Sequence, residues 1–149
     1  HGDVTHGGLK RVFVEKIDGN YQGIVFPFSQ GFSAGVNRFA WGPDTALYVG
    51  GVGSTGNWSQ HGKKWYGLQK IKYNGTKTFE LLAVRSRSNG FELEFTEPVD
   101  AKSASLPGSY YLEQWRYVPT TSYGGPKVDK QIVKIVSISI LPGAKKVFL

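Results

Sequence analysis

The sequence contains no cysteine, so it has no disulfide framework, no zinc–thiolate site and no thiolate nucleophile. It also lacks any run of about 18 apolar residues, which argues against a membrane-spanning helix. No phosphate-binding loop, GxSxG nucleophile elbow or HExxH motif is present. These absences remove the commonest sequence-encoded catalytic centres. Cysteine-free chains occur in every cellular compartment, so the absence of cysteine does not indicate where this protein is located.

Helical periodicity is missing as well. No amphipathic stripe of about ten residues occurs, whereas apolar and polar residues alternate with period two along much of the chain. Twenty glycines and seven prolines suit short strands joined by tight turns. The sequence therefore predicts an all-β fold. The predicted strands are Lys10–Ile17, Tyr21–Ser29, Asn37–Trp41, Ala46–Gly51, Tyr66–Tyr73, Phe79–Arg87, Phe91–Phe95, Tyr110–Tyr117, Ile132–Ile140 and Lys145–Leu149.

The formal net charge of +7 raises the question of an anionic partner. The basic residues occur as singles and pairs between apolar residues, for example at Lys10-Arg11 and Lys63-Lys64. Strands place such residues on their solvated faces, and exposed lysines protect sheet edges from unwanted pairing. The pattern favours solvated strand faces over a nucleic-acid site. A polyanionic surface or glycan is the intermediate alternative.

One segment, Gly35–Val52, has the sequence GVNRFAWGPDTALYVGGV. It resembles the blade motif of six-bladed β-propellers of the bacterial glucose or sorbosone dehydrogenase type, in which a GPDG turn joins an apolar strand to an LYV strand. Thr45 stands where that motif usually has glycine. The flanking stretches THGGLKRVFVEKIDGNYQGIVFPFSQG and GKKWYGLQKIKYNG look like the last-blade region of large secreted proteins in this group. The resemblance implies a secreted bacterial protein, extracellular or periplasmic, that handles carbohydrate.

The second half of the chain contains FELEFTEPVDAKSAS, SYYLEQW and IVKIVSISILPGAKKVFL, and is similar to bacterial Ig-like domains. We therefore expect a propeller-blade-like antiparallel sheet over residues 1–75 and an incomplete Ig-like β-sandwich over residues 78–149. The chain starts at His1 rather than at methionine and stops within a predicted strand, so we expect a fragment truncated at both ends. A single blade cannot bury its faces alone and needs the rest of the parent protein or a partner chain.

No catalytic residue of such dehydrogenases can be assigned to a position in this sequence. The propellers build their quinone site from several blades, so the resemblance implies that any quinone or haem belongs elsewhere in the parent and that this chain holds no cofactor. The predicted function is a non-catalytic carbohydrate-binding or scaffold segment. A structural subunit that pairs through exposed sheet edges is the first alternative.

Residues 53–66, with the sequence GSTGNWSQHGKKWY, form the most site-like segment. Aromatic rings stack on the C–H faces of sugars while amide and charged groups bond the hydroxyls, which predicts a polysaccharide or cell-surface glycan as the partner. The predicted ligand-binding residues are Asn57, Trp58, His61, Trp65 and Tyr66. Two alternatives stay open: the tryptophans fill the base of the sheet or an interdomain seam, or the rings and lysines bind single-stranded nucleic acid.

Three histidines, His1, His6 and His61, raise a metal-dependent alternative. The His-Gly start resembles that of copper-dependent polysaccharide monooxygenases, whose copper is held by the terminal amine, the first imidazole and a second histidine. This alternative requires His6 or His61 to lie within metal-bonding distance of His1. The THGG context of His6 also belongs to the propeller resemblance, which accounts for that residue without a metal and is the favoured interpretation.

Overall fold

The structure is a computed structural model that describes residues 1–53, 62–122 and 124–149. Within those residues it contains eleven β-strands, one four-residue α-helix and one 3-10 turn, which confirms the predicted all-β class. No helix in the described part of the chain is long and apolar enough to cross a membrane. The chain divides into two compact units, His1–Lys77 and Thr78–Leu149, which we call the N-terminal and C-terminal units.

The N-terminal unit contains two antiparallel sheets. Its strands are β1 (Leu9–Ile17), β2 (Asn20–Ser29), β3 (Gly35–Trp41), β4 (Leu47–Val52) and β5 (Tyr66–Ile71). β1 pairs only with β2 among the described strands, and the turn between them is closed by Asp18 and Gly19, both with positive φ, as a two-residue hairpin turn requires. The second sheet has the order β3–β4–β5. Its blade-like character stays a prediction from the resemblance.

The core of the N-terminal unit lies on one side of this second sheet. Leu47 and Val49 of β4 are buried there against Val36 at the start of β3. Leu9 from β1 and Phe32 from the β2–β3 connection complete the cluster, and Ile71 packs at its margin. β4 therefore supplies the central apolar residues of the core. Because successive side chains of a strand point to opposite sides, the residues of β4 between these buried ones point to the other side of the sheet.

The turn between β3 and β4 carries local strain. It is closed by hydrogen bonds from the Gly42 N–H to the Ala46 carbonyl (2.8 Å) and from the Thr45 N–H to the Gly42 carbonyl (3.1 Å). Thr45 has φ = 61°, in the left-handed region that is unfavourable for a β-branched residue. This is the position at which the resembled propeller motif has glycine, a residue that adopts this φ without steric penalty.

Replacing Thr45 by glycine is therefore expected to stabilise the N-terminal unit. Relief of the left-handed penalty, about 1–2 kcal/mol, is partly offset by about 0.4–1 kcal/mol of extra chain entropy in the unfolded state. The expected net gain is about 0.5–1 kcal/mol in the free energy of unfolding, measured by urea denaturation. Thr45→Ala is the control, because it removes the hydroxyl but keeps the Cβ, and an equal gain in both variants would contradict backbone strain as the cause.

The C-terminal unit contains a four-stranded sheet and a separate hairpin. Its elements are β6 (Leu81–Arg87), β7 (Gly90–Phe95), α1 (Ala101–Ala104), the 3-10 turn Pro107–Ser109, β8 (Glu113–Tyr117), β9 (Lys127–Ile132), β10 (Ser139–Ile140) and β11 (Lys146–Phe148). The sheet has the order β10–β11–β7–β6, and β8 pairs with β9. Val147 and Ala83 are buried in this sheet. The Ig-like assignment stays a prediction.

One strand prediction in this unit is wrong, and one strand, β9, was not predicted. Residues 132–140 were expected to form a single strand, but β9 ends at Ile132, residues 133–138 form no strand, and only Ser139–Ile140 is extended in a ladder. Ile132 pairs with Glu113 of β8, whereas Ser139 pairs with Phe148 of β11. The apolar alternation in this segment therefore belongs to a connection between two sheets, which a period-two pattern cannot distinguish from one long strand.

Candidate functional site

The β3–β4–β5 sheet buries one side of β4 in the core and leaves its other side more open, although Phe39 and Trp41 on the core side of β3 are 44% and 73% exposed. Because Leu47 and Val49 point into the core, Tyr48, Gly50 and Val52 point away from it. Directly opposed residues of antiparallel strands lie on the same side of the sheet, so the register extends this surface onto β3 and β5. We call it the outer face. It is formed by Gly35, Arg38, Ala40, Tyr48, Gly50, Val52, Tyr66, Leu68 and Lys70, and the Val4 backbone lies against Gly35.

One end of the outer face is apolar and open. Tyr66 lies opposite Val52 at the start of β5, and 81% of its surface is exposed. Leu68 lies opposite Gly50 and is 75% exposed. Gly50 has no side chain to rise above the sheet, so the surface of β4 is low beside Leu68, and the Tyr66 ring lies two residues away on the same strand. Such a surface can receive the flat face of a ligand.

The other end of the outer face is a polar cluster centred on Asp44. Its Oδ2 lies 2.5 Å from the Lys70 ammonium and accepts a hydrogen bond from the Tyr48 hydroxyl at 3.3 Å. The Lys70 ammonium also lies 5.2 Å from the centre of the Tyr48 ring. The hydrogen bond from Lys70 lowers the pKa of Asp44 below its ordinary value, and the same bond raises the pKa of Lys70. Both groups are therefore ionised at neutral pH.

The turn before β4 builds this cluster. The Ala46 N–H donates to Asp44 Oδ1 at 3.3 Å, which fixes the carboxylate at the base of the strand. A Cβ on Gly42 would lie 2.8 Å from Asp44 Oδ1 and closer still to the Tyr48 ring. A larger residue at this position would force the Tyr48 ring or the Asp44 carboxylate to move.

Two of the five predicted ligand-binding residues, Trp65 and Tyr66, lie within the described residues. Trp65 precedes β5 and is 66% exposed, and its carbonyl accepts a hydrogen bond from the Gly53 N–H at 2.7 Å. Neither ring fills the described core of the unit. Tyr66 belongs to the outer face, and Trp65, its neighbour in sequence, is not one of the residues that form it. The remaining three, Asn57, Trp58 and His61, lie outside the described residues.

Sequence reasoning missed the polar end of this surface. Asp44, Tyr48 and Lys70 were not among the predicted site residues, although Tyr66, Leu68 and Lys70 follow the period-two pattern of one strand face. Extending that pattern from Tyr66 would have found Lys70. The partnership with Tyr48 depends on the register between β4 and β5, which the two strand sequences alone do not define.

The metal-dependent alternative depends on three histidines. The terminal amine of His1 donates to the Lys10 carbonyl at 2.9 Å, and the His6 ring lies 3.7 Å from Asp3 Oδ1. His61 lies outside the described residues. Across residues 1–53, 62–122 and 124–149, no group of three or more His, Cys, Asp or Glu side chains is arranged to hold a metal ion. The copper site, with His6 or His61 as the second histidine, therefore stays a prediction.

The outer face thus joins exposed aromatic and apolar groups to an ionised acid–base pair and a tyrosine hydroxyl. A sheet surface of this kind can bind an extended ligand through stacking and hydrogen bonds. No protein-family model, no curated protein and no solved structure matches this chain.

Proposed function

We propose that this chain is a non-catalytic carbohydrate-binding segment whose outer face contacts a polysaccharide or a cell-surface glycan. The observation that carries the proposal is the exposed Tyr66 ring, which shares one sheet surface with the Asp44–Lys70 pair. The sequence resemblance to secreted sugar-dehydrogenase-like propellers supports the same ligand class. It also supports an extracellular or periplasmic location and a blade-like role for the N-terminal unit within a larger parent.

The chemistry of the outer face suits a sugar chain. Tyr66 offers an aromatic ring for the C–H face of a pyranose, next to the apolar Leu68. Lys70 lies four residues after Tyr66 on β5, about 13 Å along the strand. There the Lys70 ammonium can donate hydrogen bonds to sugar hydroxyl groups, and the Asp44 carboxylate can accept them. Because apolar and polar contacts are spread along a flat surface, the arrangement favours several units of a polymer over a single enclosed monosaccharide.

Tyr66→Ala is expected to weaken polysaccharide binding about tenfold, since it removes the only highly exposed aromatic ring of the outer face; a factor of ten corresponds to about 1.4 kcal/mol. Affinity electrophoresis against β-glucans and chitin-derived polymers gives the comparison. Tyr111→Ala is the matched control, because Tyr111 is a similarly exposed tyrosine of the C-terminal unit. Equal retardation of the wild type and Tyr66→Ala by every bound polymer would reject the outer face as the site.

A second candidate function, assembly with other chains, is favoured by the β1–β2 hairpin. Val12 and Val25 lie opposite each other, and together with Val14 they form an exposed apolar surface on one side of the hairpin. Neither hairpin strand has a further strand neighbour among the described residues, although Gly2 forms an isolated bridge with Leu9 at the start of β1. Sedimentation over a concentration series tests this candidate: association that Val14→Lys abolishes would support it, and a monomer at every concentration would reject it.

A further inference from the structure

The positive charge of the chain is concentrated in the segment that forms the outer face. Residues 1–77 contain nine basic and four acidic side chains, whereas residues 78–149 contain nine and seven. Within residues 33–73 the imbalance is greater, because Asp44 is the one acidic residue among five basic ones. Those five are Arg38, Lys63, Lys64, Lys70 and Lys72. Two of these five, Arg38 and Lys70, belong to the surface proposed to bind a glycan, and Lys72 follows β5 directly.

Not all of these cations are equally available to a ligand. Asp44 neutralises Lys70 at 2.5 Å. Arg38 lies opposite Gly50 on the outer face, and its guanidinium bonds the Asn37 carbonyl and side-chain oxygens at 2.9 and 3.0 Å. Those partners carry no charge. No carboxylate in the described parts of the chain pairs with Arg38 or with Lys72, the exposed residue that follows β5. Two uncompensated cations thus belong to or border the outer face.

We infer that the ligand of the outer face is an acidic polysaccharide, one that carries carboxylate or sulfate groups on its sugar rings. This inference rests on the proposed function and specifies its ligand. A carboxylate or sulfate can take charge-assisted hydrogen bonds from the Arg38 guanidinium, which binds such groups through two parallel N–H donors. A second acidic group along the same polymer can reach Lys72 while a ring lies on Tyr66.

The charge pattern favours an acidic glycan over single-stranded nucleic acid. Nucleic-acid grooves need a continuous cationic track, because every nucleotide carries a phosphate. On the outer face the uncharged residues Gly50 and Tyr48 of β4 lie between Arg38 on β3 and Lys70 on β5. The Asp44 carboxylate would also repel a phosphate near Lys70. Separated cations with uncharged contacts between them match a polymer in which only some of the sugar rings carry an acidic group.

The test uses two matched pairs of polymers that differ in charge: polygalacturonate with its full methyl ester, and dextran sulfate with dextran. Binding isotherms are recorded for the wild type, for Arg38→Gln/Lys72→Gln and for Lys102→Gln/Lys134→Gln. The last variant removes the same charge from exposed lysines of the C-terminal unit. We expect the acidic member of at least one pair to bind about tenfold more tightly than its neutral partner, and only the first variant to lose this preference.

Each outcome separates the inference from the function on which it rests. Equal affinity of the wild type for the acidic and neutral member of both pairs would overturn the acidic ligand and leave carbohydrate binding intact. No binding to any of the four polymers, nor to the β-glucans and chitin-derived polymers, would overturn both. Equal loss of preference in the two double variants would also overturn the inference, because it would show a response to net charge alone. Tighter binding of a single-stranded oligonucleotide, with the same dependence on Arg38, would replace the glycan by nucleic acid.

Discussion

Gly35→Ala is expected to destabilise the N-terminal unit by about 3 kcal/mol or more, among the largest effects of a single methyl group in this chain. A Cβ on Gly35 would lie 3.0 Å from the Val52 carbonyl oxygen and closer still to the carbonyl oxygen of Val4. Both neighbours are backbone atoms, so neither can rotate away as a side chain could. Relief requires the N-terminal segment or β4 to move away from β3, next to the fully buried Val36.

Gly50→Ala is the matched control for this prediction. Gly50 lies on the neighbouring strand, and an added Cβ would lie 3.7 Å from the Arg38 carbonyl oxygen, an ordinary van der Waals distance. Urea denaturation gives the free energy of unfolding, and amide hydrogen exchange shows whether β3 and β4 lose protection while β6 and β7 keep theirs. If Gly35→Ala and Gly50→Ala shift the unfolding midpoint equally, the close approach of Val4 and Val52 to Gly35 is not a structural constraint.

The parts of the fold that were predictable from sequence are local. The β1–β2 hairpin follows from period-two alternation on both sides of Asp18-Gly19, and its predicted strands, Lys10–Ile17 and Tyr21–Ser29, each differ from the structure by one residue at the start. The β6–β7 hairpin, which turns at Ser88-Asn89, was found in the same way. In each case the turn and the two strands are contiguous, so one stretch of sequence contains all the information.

Pairings between distant residues could not be predicted in this way. β11 joins the sheet beside β7, with Lys146 opposite Glu94, although most of the C-terminal unit separates them in sequence. The same limit applies to the outer face. Tyr66 was identified from its local composition, whereas the Asp44–Lys70 pair depends on how β4 and β5 align across the residues between them. Period-two alternation specifies the face of a residue but not its neighbour on the next strand.

The pairing of β7 with β6 and β11 creates the most connected ionic group of the C-terminal unit, and it depends on Glu92. The Glu92 carboxylate lies 3.4 Å from Arg85, 3.3 Å from Arg87 and 3.2 Å from Lys146. Only 13% of its side chain is exposed. Burial opposes ionisation, but the hydrogen bond and charge of Lys146, together with Arg87, outweigh it and lower the pKa of Glu92 below its ordinary value.

Glu92→Gln is expected to destabilise the C-terminal unit by about 2 kcal/mol near neutral pH, between the values for exposed and buried ion pairs. The amide keeps the shape of the side chain but leaves three cations close together without this carboxylate. Asp129→Asn is the control, because it removes an exposed ion pair with Arg116 in the same unit and should change the free energy of unfolding little. Urea denaturation of the three proteins gives the comparison.

The pH dependence of this difference tests its electrostatic origin. Because the pKa of Glu92 is lower in the folded state than in the unfolded state, its contribution is complete above the unfolded value, about 4.3. It is lost as the pH falls through the lower folded value, since the unfolded state then binds the extra proton. The free-energy difference between the wild type and Glu92→Gln should therefore shrink on acidification. A difference that stays constant into the acid range would assign the effect to packing of the side chain and not to its charge.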